Sequence, residues 1–185
     1  MEWVVIGAIV LIVLYVIFIY NRLVSLRQTV SQSWSDISVQ LKQRHDLIPN
    51  LVETVKGYAA HERGTLDAVV KARNAAVAAS DPAAAAQAEN MLTGALRQLF
   101  ALSEAYPDLK ANQNFLALQS ELSDIENKIA AARRFFNNAV SEYNAAIQQF
   151  PAVLLAGTLG FTERTFFELD ESERSAVQST PQVKF

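Results

Sequence analysis

Asn114 to Pro151 reads "NFLALQSELSDIENKIAAARRFFNNAVSEYNAAIQQFP". Phe115, Leu122, Ile129, Phe136, Tyr143 and Phe150 recur every seven residues, and Leu118, Ile125, Ala132 and Ala139 fill the alternate positions. Steps of three and four place both rows on one stripe of a helix, the pattern of bundles and coiled coils. Pro151 sets its end, because the residue before a proline is pushed out of the helical region.

A second stripe lies upstream. Leu23, Val30, Ile37, Leu51 and Tyr58 form one row, and Trp34, Leu41, Ile48, Val55 and Val69 the other. Between Gly7 and Pro49 nothing breaks a helix. Pro49 removes a backbone donor and crowds the carbonyl four residues back, so a kinked but continuous helix is expected there, with the freed carbonyl met by Arg44 or water. Ser80-Asp81-Pro82 reads as a stop and restart, Asp81 capping and Pro82 in the first helical position. The alanine-rich stretch from Pro82 forms the next helix, and Tyr106-Pro107-Asp108 marks another boundary. Strand signals are nearly absent. The expected fold is all-α, an antiparallel bundle of long helices with short connections.

The first twenty residues have a different character. "MEWVVIGAIVLIVLYVIFIY" holds 18 consecutive uncharged residues from Trp3 to Tyr20, about 27 Å of helix and close to the hydrocarbon thickness of a bilayer. Trp3 and Tyr20 stand where interfacial anchors belong. A cleaved signal peptide needs a basic start, a shorter apolar core and a small-residue cleavage site, none of which fits. Arg22 and Arg27 follow the span, with Lys42 and Arg44 further on, so the positive-inside rule puts the N-terminus outside and the body in the cytoplasm. Three regions follow: a transmembrane anchor over 1–20, a helical bundle over 21–161, and an acidic segment over 162–185 packing loosely on it, with a loose tail after Ser179. The apolar "PAVLLAGTLGF" closing the bundle reads as an irregular segment or short helix that packs on the bundle or touches lipid or a neighbouring subunit.

Composition narrows the chemistry. The chain has no cysteine, which removes disulfides and thiolate sites, and its net charge of −3 gives no footprint for nucleic acid. The six glycines are dispersed, with no phosphate loop. In "KQRHDLIPNLVETVKGYAAHE" (Lys42–Glu62), His61-Glu62 resembles the start of a helical zinc-protease motif. The second histidine it needs is Thr65 here, and His45 and Asp46 diverge by about 100° on a helix. No catalytic residue, cofactor or metal is therefore expected. The polar residues of interest lie in the apolar stripe. Counting in sevens from Leu23 through Ile37 lands on Arg44, and from Trp34 through Val55 on Glu62. Such charges either sit at the stripe's edge in water or form interhelical ion pairs, since an unpaired buried ion costs several kcal/mol. Glu121, Glu126, Arg133 and Arg134 are the candidate partners on the C-terminal long helix.

"YNRLV" after the span, "QLKQRHDLIPNLVETVKGYAAHE", "YPDLKANQNFLALQSELSDIENKIAAARRFFNNAVSEYN" and the "FP" at the helix end resemble the LemA family. The match covers nearly the whole chain, weakening over Ala75–Gln98 and the last twenty residues. The family's usual tyrosine after the paired arginines is Phe135-Phe136 here. The resemblance implies a bacterial inner-membrane protein with a short external N-terminus and a cytoplasmic helical bundle. It adds a link to membrane organisation, including a magnetosome branch, and association of some members with membrane metallopeptidases. Arg44, Asp46, Pro49 and Glu62 match its signature, which brings no catalytic assignment. The resulting expectation is a non-enzymatic scaffold that self-associates on membrane lipids and organises or remodels the membrane. Its rival is an adaptor or regulator of a membrane protease. The structural polar network is expected to comprise Arg44, Asp46, Glu62, Glu126 and Arg133.

Overall fold

A computed structural model describes residues 1–168; the expectations for the acidic segment beyond Glu168, including the loose tail, lie outside the described residues. The chain is all-α. Its helices are α1 (Glu2–Lys56), α2 (Arg63–Ala78), α3 (Pro82–Ser103), α4 (Pro107–Lys110), α5 (Gln113–Gln148) and α6 (Val153–Ala156), with no strand among the described residues. They divide into two compact units, the first comprising Met1–Ile37 and Ala132–Thr165 and the second Ser38–Ala131 with residues 166–168. The division falls within α1 and within α5.

The second unit contains four long helical segments. Arg44 of α1 meets Glu126 of α5, and Tyr58 just past α1 meets Asn112 just before α5, so these two helices run antiparallel. Arg44 also meets Glu89 of α3, and Glu62 meets Tyr106 beyond the end of α3, so α1 and α3 run parallel. With α2 returning between them, the order is up-down-up-down, which needs only short connections. Ile48, Leu51, Val55, Val69, Leu92, Leu99, Leu109 and Phe115 form its core, each 1% exposed or less.

Two local sequence features shape this unit. Asp81 accepts hydrogen bonds from the Ala83 and Ala84 N–H groups at 3.1 and 2.9 Å, and Pro82 opens α3, as the Ser80-Asp81-Pro82 signal predicts. The second feature corrects the sequence reading. The upstream stripe does not run on to Val69 in one helix: α1 stops at Lys56 and Val69 belongs to α2. Gly57, the weakest helix former in the stretch, follows the last helical residue, and Tyr58 turns out to accept a hydrogen bond from the Asn112 amide at 2.9 Å. Tyr58 is consequently exposed rather than a core residue.

In the first unit Leu23, Val30 and Ile37 of α1 and Phe136, Val140 and Tyr143 of α5 are buried, and the Trp34 and Phe136 rings pack at 5.6 Å. Tyr20 meets Phe161, beyond the far end of α5, so these helical segments are also antiparallel. Phe150, the last member of the C-terminal row, lies beyond α5 and is 80% exposed, which corrects its assignment to the core. The chain then makes a short elbow through α6 and returns along α5. There the Asn144 amide donates to the Arg164 carbonyl and accepts from the Arg164 N–H, both at 2.9 Å, while the Tyr143 hydroxyl donates to the Thr162 carbonyl at 3.0 Å.

Gly160 turns the elbow back with φ of +76°. Its N–H donates to the Gly157 carbonyl and that of Phe161 to the Ala156 carbonyl, the paired closure of a left-handed helix cap. A side chain at such a φ costs about 1–2 kcal/mol, and loss of an aspartate N-cap about 1 kcal/mol. Gly160→Ala and Asp81→Ala are each expected to lower the stability of the full chain by those amounts, with Ser80→Ala near neutral, measured by urea denaturation in mild detergent.

Candidate functional site

The most structured polar site is built around Pro49. Proline has no N–H, so the carbonyl of His45, four residues back, loses its helical donor while α1 continues through this point. Arg73 of α2 supplies the missing donor: its Nε lies 3.3 Å from the His45 carbonyl oxygen. The sequence reading gave that role to Arg44 or water; Arg73 reaches it because α2 packs antiparallel to α1 here.

Arg44 is only 4% exposed. Nη1 donates to Glu89 Oε2 at 3.1 Å, Nη2 donates to the Thr93 hydroxyl at 2.7 Å, and Nη2 lies 3.3 Å from Glu126 Oε2. The other oxygen of Glu89 is 2.5 Å from His45 Nε2. A carboxylate can only accept, so Nε2 carries the proton in that contact. Glu89 is 5% exposed and therefore has both oxygens engaged by α1.

Magnitudes separate the members of this group. Removing one partner of a buried, hydrogen-bonded pair costs about 3–5 kcal/mol, because a charge is left stranded. The Glu126 side chain is 51% exposed, so its attraction to Arg44 is screened and contributes about 0–1 kcal/mol. The pair that matters energetically is Arg44 with Glu89.

Glu89 was not among the sequence candidates. The signal was available: Ala85, Glu89, Leu92, Leu96, Leu99 and Ser103 are spaced by fours and threes and all are buried. Counting back seven from Leu96 lands on Glu89, the same arithmetic that singled out Arg44.

The other expected network members lie elsewhere. Asp46 is exposed and pairs with Lys42 at 2.7 Å; that hydrogen bond holds its carboxyl below the usual range, outweighing an opposing push from desolvation, with the charges of Lys42, Arg73 and His45 adding to the lowering. A carboxyl lowered in this way stabilises the fold above its unfolded pKa and loses that contribution as pH falls through the folded value. Glu62 forms no ion pair with the C-terminal long helix. Because α1 has already ended, counting in sevens across the turn misplaces it; it stands at the N-terminus of α2 and accepts the Tyr106 hydroxyl at 3.0 Å. That hydrogen bond raises the Tyr106 pKa, with desolvation and the Glu62 charge acting the same way. Arg133 is half-buried in the part of α5 that belongs to the first unit. His61 is exposed, apart from His45.

Beside the cluster opens a groove of about 430 Å³, with Arg44 and Glu126 at one end and Arg97, Phe100, Gln119 and Ser123 along its walls. In the first unit, Trp3 is 85% exposed, whereas Tyr20 packs edge-on against Phe161 with ring centroids 5.7 Å apart. The Arg27 guanidinium lies over that same ring, 5.1 Å from its centroid.

Comparison with known proteins gives a consistent picture. The model of the LemA family matches residues 33–185, most of the chain. The magnetosome protein MamQ of Magnetospirillum gryphiswaldense is 25% identical over 190 aligned positions, which span 89% of this chain and 70% of that protein. The protein LemA of Metamycoplasma hominis is 27% identical over 164, spanning 86% of this chain and 74% of its own.

Arg44→Ala and Glu89→Ala are each expected to destabilise the full chain by about 3–5 kcal/mol, and Arg73→Ala by about 1–3 kcal/mol through the orphaned carbonyl. Lys42→Ala, which removes only an exposed pair, should cost no more than about 0.5 kcal/mol. An Arg44→Ala variant within about 0.5 kcal/mol of the parent would instead mark Arg44 as a solvated edge residue.

Proposed function

The chain belongs to the LemA family, and on that premise we propose that it is a non-enzymatic, membrane-anchored helical scaffold that self-associates and helps organise or remodel the bacterial inner membrane. The observation that carries this reading is the start of α1. It is long and apolar enough to cross a membrane, and only 6% of its most apolar 18-residue window is buried by protein. A core helix of a soluble protein would be covered. A removable leader would not be expected to continue without a break into Leu23, Val30 and Ile37, which are core residues of the first unit.

Arg22 and Arg27 beyond the span favour an outside N-terminus and a cytoplasmic body. The relatives named as magnetosome proteins support a membrane-associated role. The polar cluster supports a structural one, because Arg44 and Glu89 have their hydrogen bonds directed at each other, His45 and Thr93. For self-association, Val70 and Val77 lie one heptad apart on α2 and are 40% and 53% exposed. Anchoring copies to one surface raises their effective concentration, so modest contacts of this kind suffice.

A second reading, an adaptor or regulator of a membrane-associated protease, is favoured by the groove lined by Arg97, Phe100, Gln119 and Ser123, which mixes charge, ring and amide groups as a peptide site would.

Extraction of the full chain in mild detergent, followed by particle-mass measurement and quantitative identification of co-purifying proteins, separates the two. A particle of several copies of this chain is the expected result; a stoichiometric protease supports the adaptor, and a strictly monomeric chain contradicts the scaffold. A reporter fused after Phe185 should behave as cytoplasmic.

A further inference from the structure

The elbow after α5 lies against the membrane-spanning part of α1. Pro151, Leu154 and Leu155 share a cleft of about 600 Å³ with Leu11, Ile12, Tyr15, Val16 and Ile19, and its walls are almost wholly apolar. Leu11 to Ile19 covers about 12 Å of helix at 1.5 Å per residue, all inside the Trp3–Tyr20 stretch. Whatever packs beside these residues shares their depth. Phe161, where the elbow ends, is back at the level of Tyr20 and Arg27. The chain therefore leaves the level of Tyr20, runs beside the half of the span nearest it, and returns.

The elbow's composition and bonding fit that depth. From Phe150 to Gly160 it carries no charged residue. Phe150, Val153 and Leu154 are 80%, 49% and 67% exposed, an apolar outer face that nothing among the described residues covers. Hydrocarbon offers no hydrogen bonds, so a segment entering it must satisfy its own backbone. Here the N–H groups of Val153, Leu154, Leu155, Ala156, Leu159, Gly160 and Phe161 all find carbonyls between Gln149 and Gly157, at 2.8 to 3.2 Å. The Thr158 hydroxyl donates to the Leu155 carbonyl at 2.8 Å. At the elbow's base, a smaller cavity of about 80 Å³ is lined by Arg22 and Gln149 together with Phe18 and Phe150, placing a cation where lipid phosphates meet the hydrocarbon.

We propose that residues 150–160 form a re-entrant elbow inserted into the leaflet next to the C-terminal half of the span, and that lipid acyl chains fill the cleft between elbow and span. The inference rests on the membrane-spanning reading of α1. It gives the protein a second membrane contact beside its anchor, a wedge on one leaflet only, which is the asymmetry a membrane-shaping protein requires.

The absence of cysteine from the chain makes a direct test available. Nitroxide labels are placed on full-length Leu154→Cys, on Val13→Cys within the span, and on Ser120→Cys at an exposed position of α5, each in vesicles of phosphatidylcholine and phosphatidylglycerol. Accessibility to oxygen, which concentrates in hydrocarbon, is compared with accessibility to a water-soluble nickel chelate. The expected result is an oxygen-to-nickel ratio at Leu154 that matches Val13 and exceeds Ser120 severalfold. A water-like ratio at Leu154 with a lipid-like one at Val13 overturns the elbow and leaves the span intact. Water-like ratios at both overturn the membrane-spanning reading itself. Shielding of Leu154 from both reagents means that protein, such as a second copy, covers the cleft, and overturns lipid as its occupant.

Discussion

The second unit depends on one buried ion pair. Arg44 and Glu89 are each about 5% exposed, and neither charge could be buried alone without a penalty of several kcal/mol. Their contact is directional, since one guanidinium nitrogen takes Glu89, the other takes Thr93, and His45 takes the remaining carboxylate oxygen. Sliding α1 against α3 by one helical turn would strand both charges. A purely apolar seam of leucine and alanine would resist that slip far less, because neighbouring heptads offer nearly equivalent packing.

Pro49 belongs to the same arrangement. It weakens α1 within a turn of the ion pair, and Arg73 repairs the weakness by donating to the freed carbonyl of His45. Three helices thus meet at adjacent residues: α1 through Arg44 and His45, α2 through Arg73, α3 through Glu89. The proline is compatible with a continuous helix because a side chain from a neighbouring helix replaces the donor it lacks.

Much of this was legible in the sequence, and the failures have physical causes. Spacing in threes and fours located the long helices, since burial of one face is what holds a helix in a bundle. Asp81-Pro82 announced a helix start because capping is local chemistry. Arg44 was visible as a charge within a regular leucine and isoleucine stripe. Glu89 was hidden because alanine occupies so much of α3 that its buried stripe contrasts little with its outer face. Glu62 was misplaced because a heptad count carries no information across a turn, and Gly57 ends α1 before the count reaches it. Arg73 could not be assigned from spacing, as its role depends on a carbonyl exposed by a proline in another helix. For the apolar run after Pro151 the sequence left packing on the bundle, lipid and a neighbouring subunit open, because its position is set by where α5 ends beside Leu11–Ile19.

Whether the Arg44–Glu89 contact holds the unit together, or merely accompanies good apolar packing, is best decided by a double-mutant cycle in the full chain. Arg44→Met and Glu89→Leu are made singly and together, and stability is read by urea denaturation in mild detergent. The account predicts that each single change is costly and that the double variant recovers much of the loss, with a coupling above about 1 kcal/mol, as for residues within one buried network. Losses that add to within about 0.5 kcal/mol would contradict it.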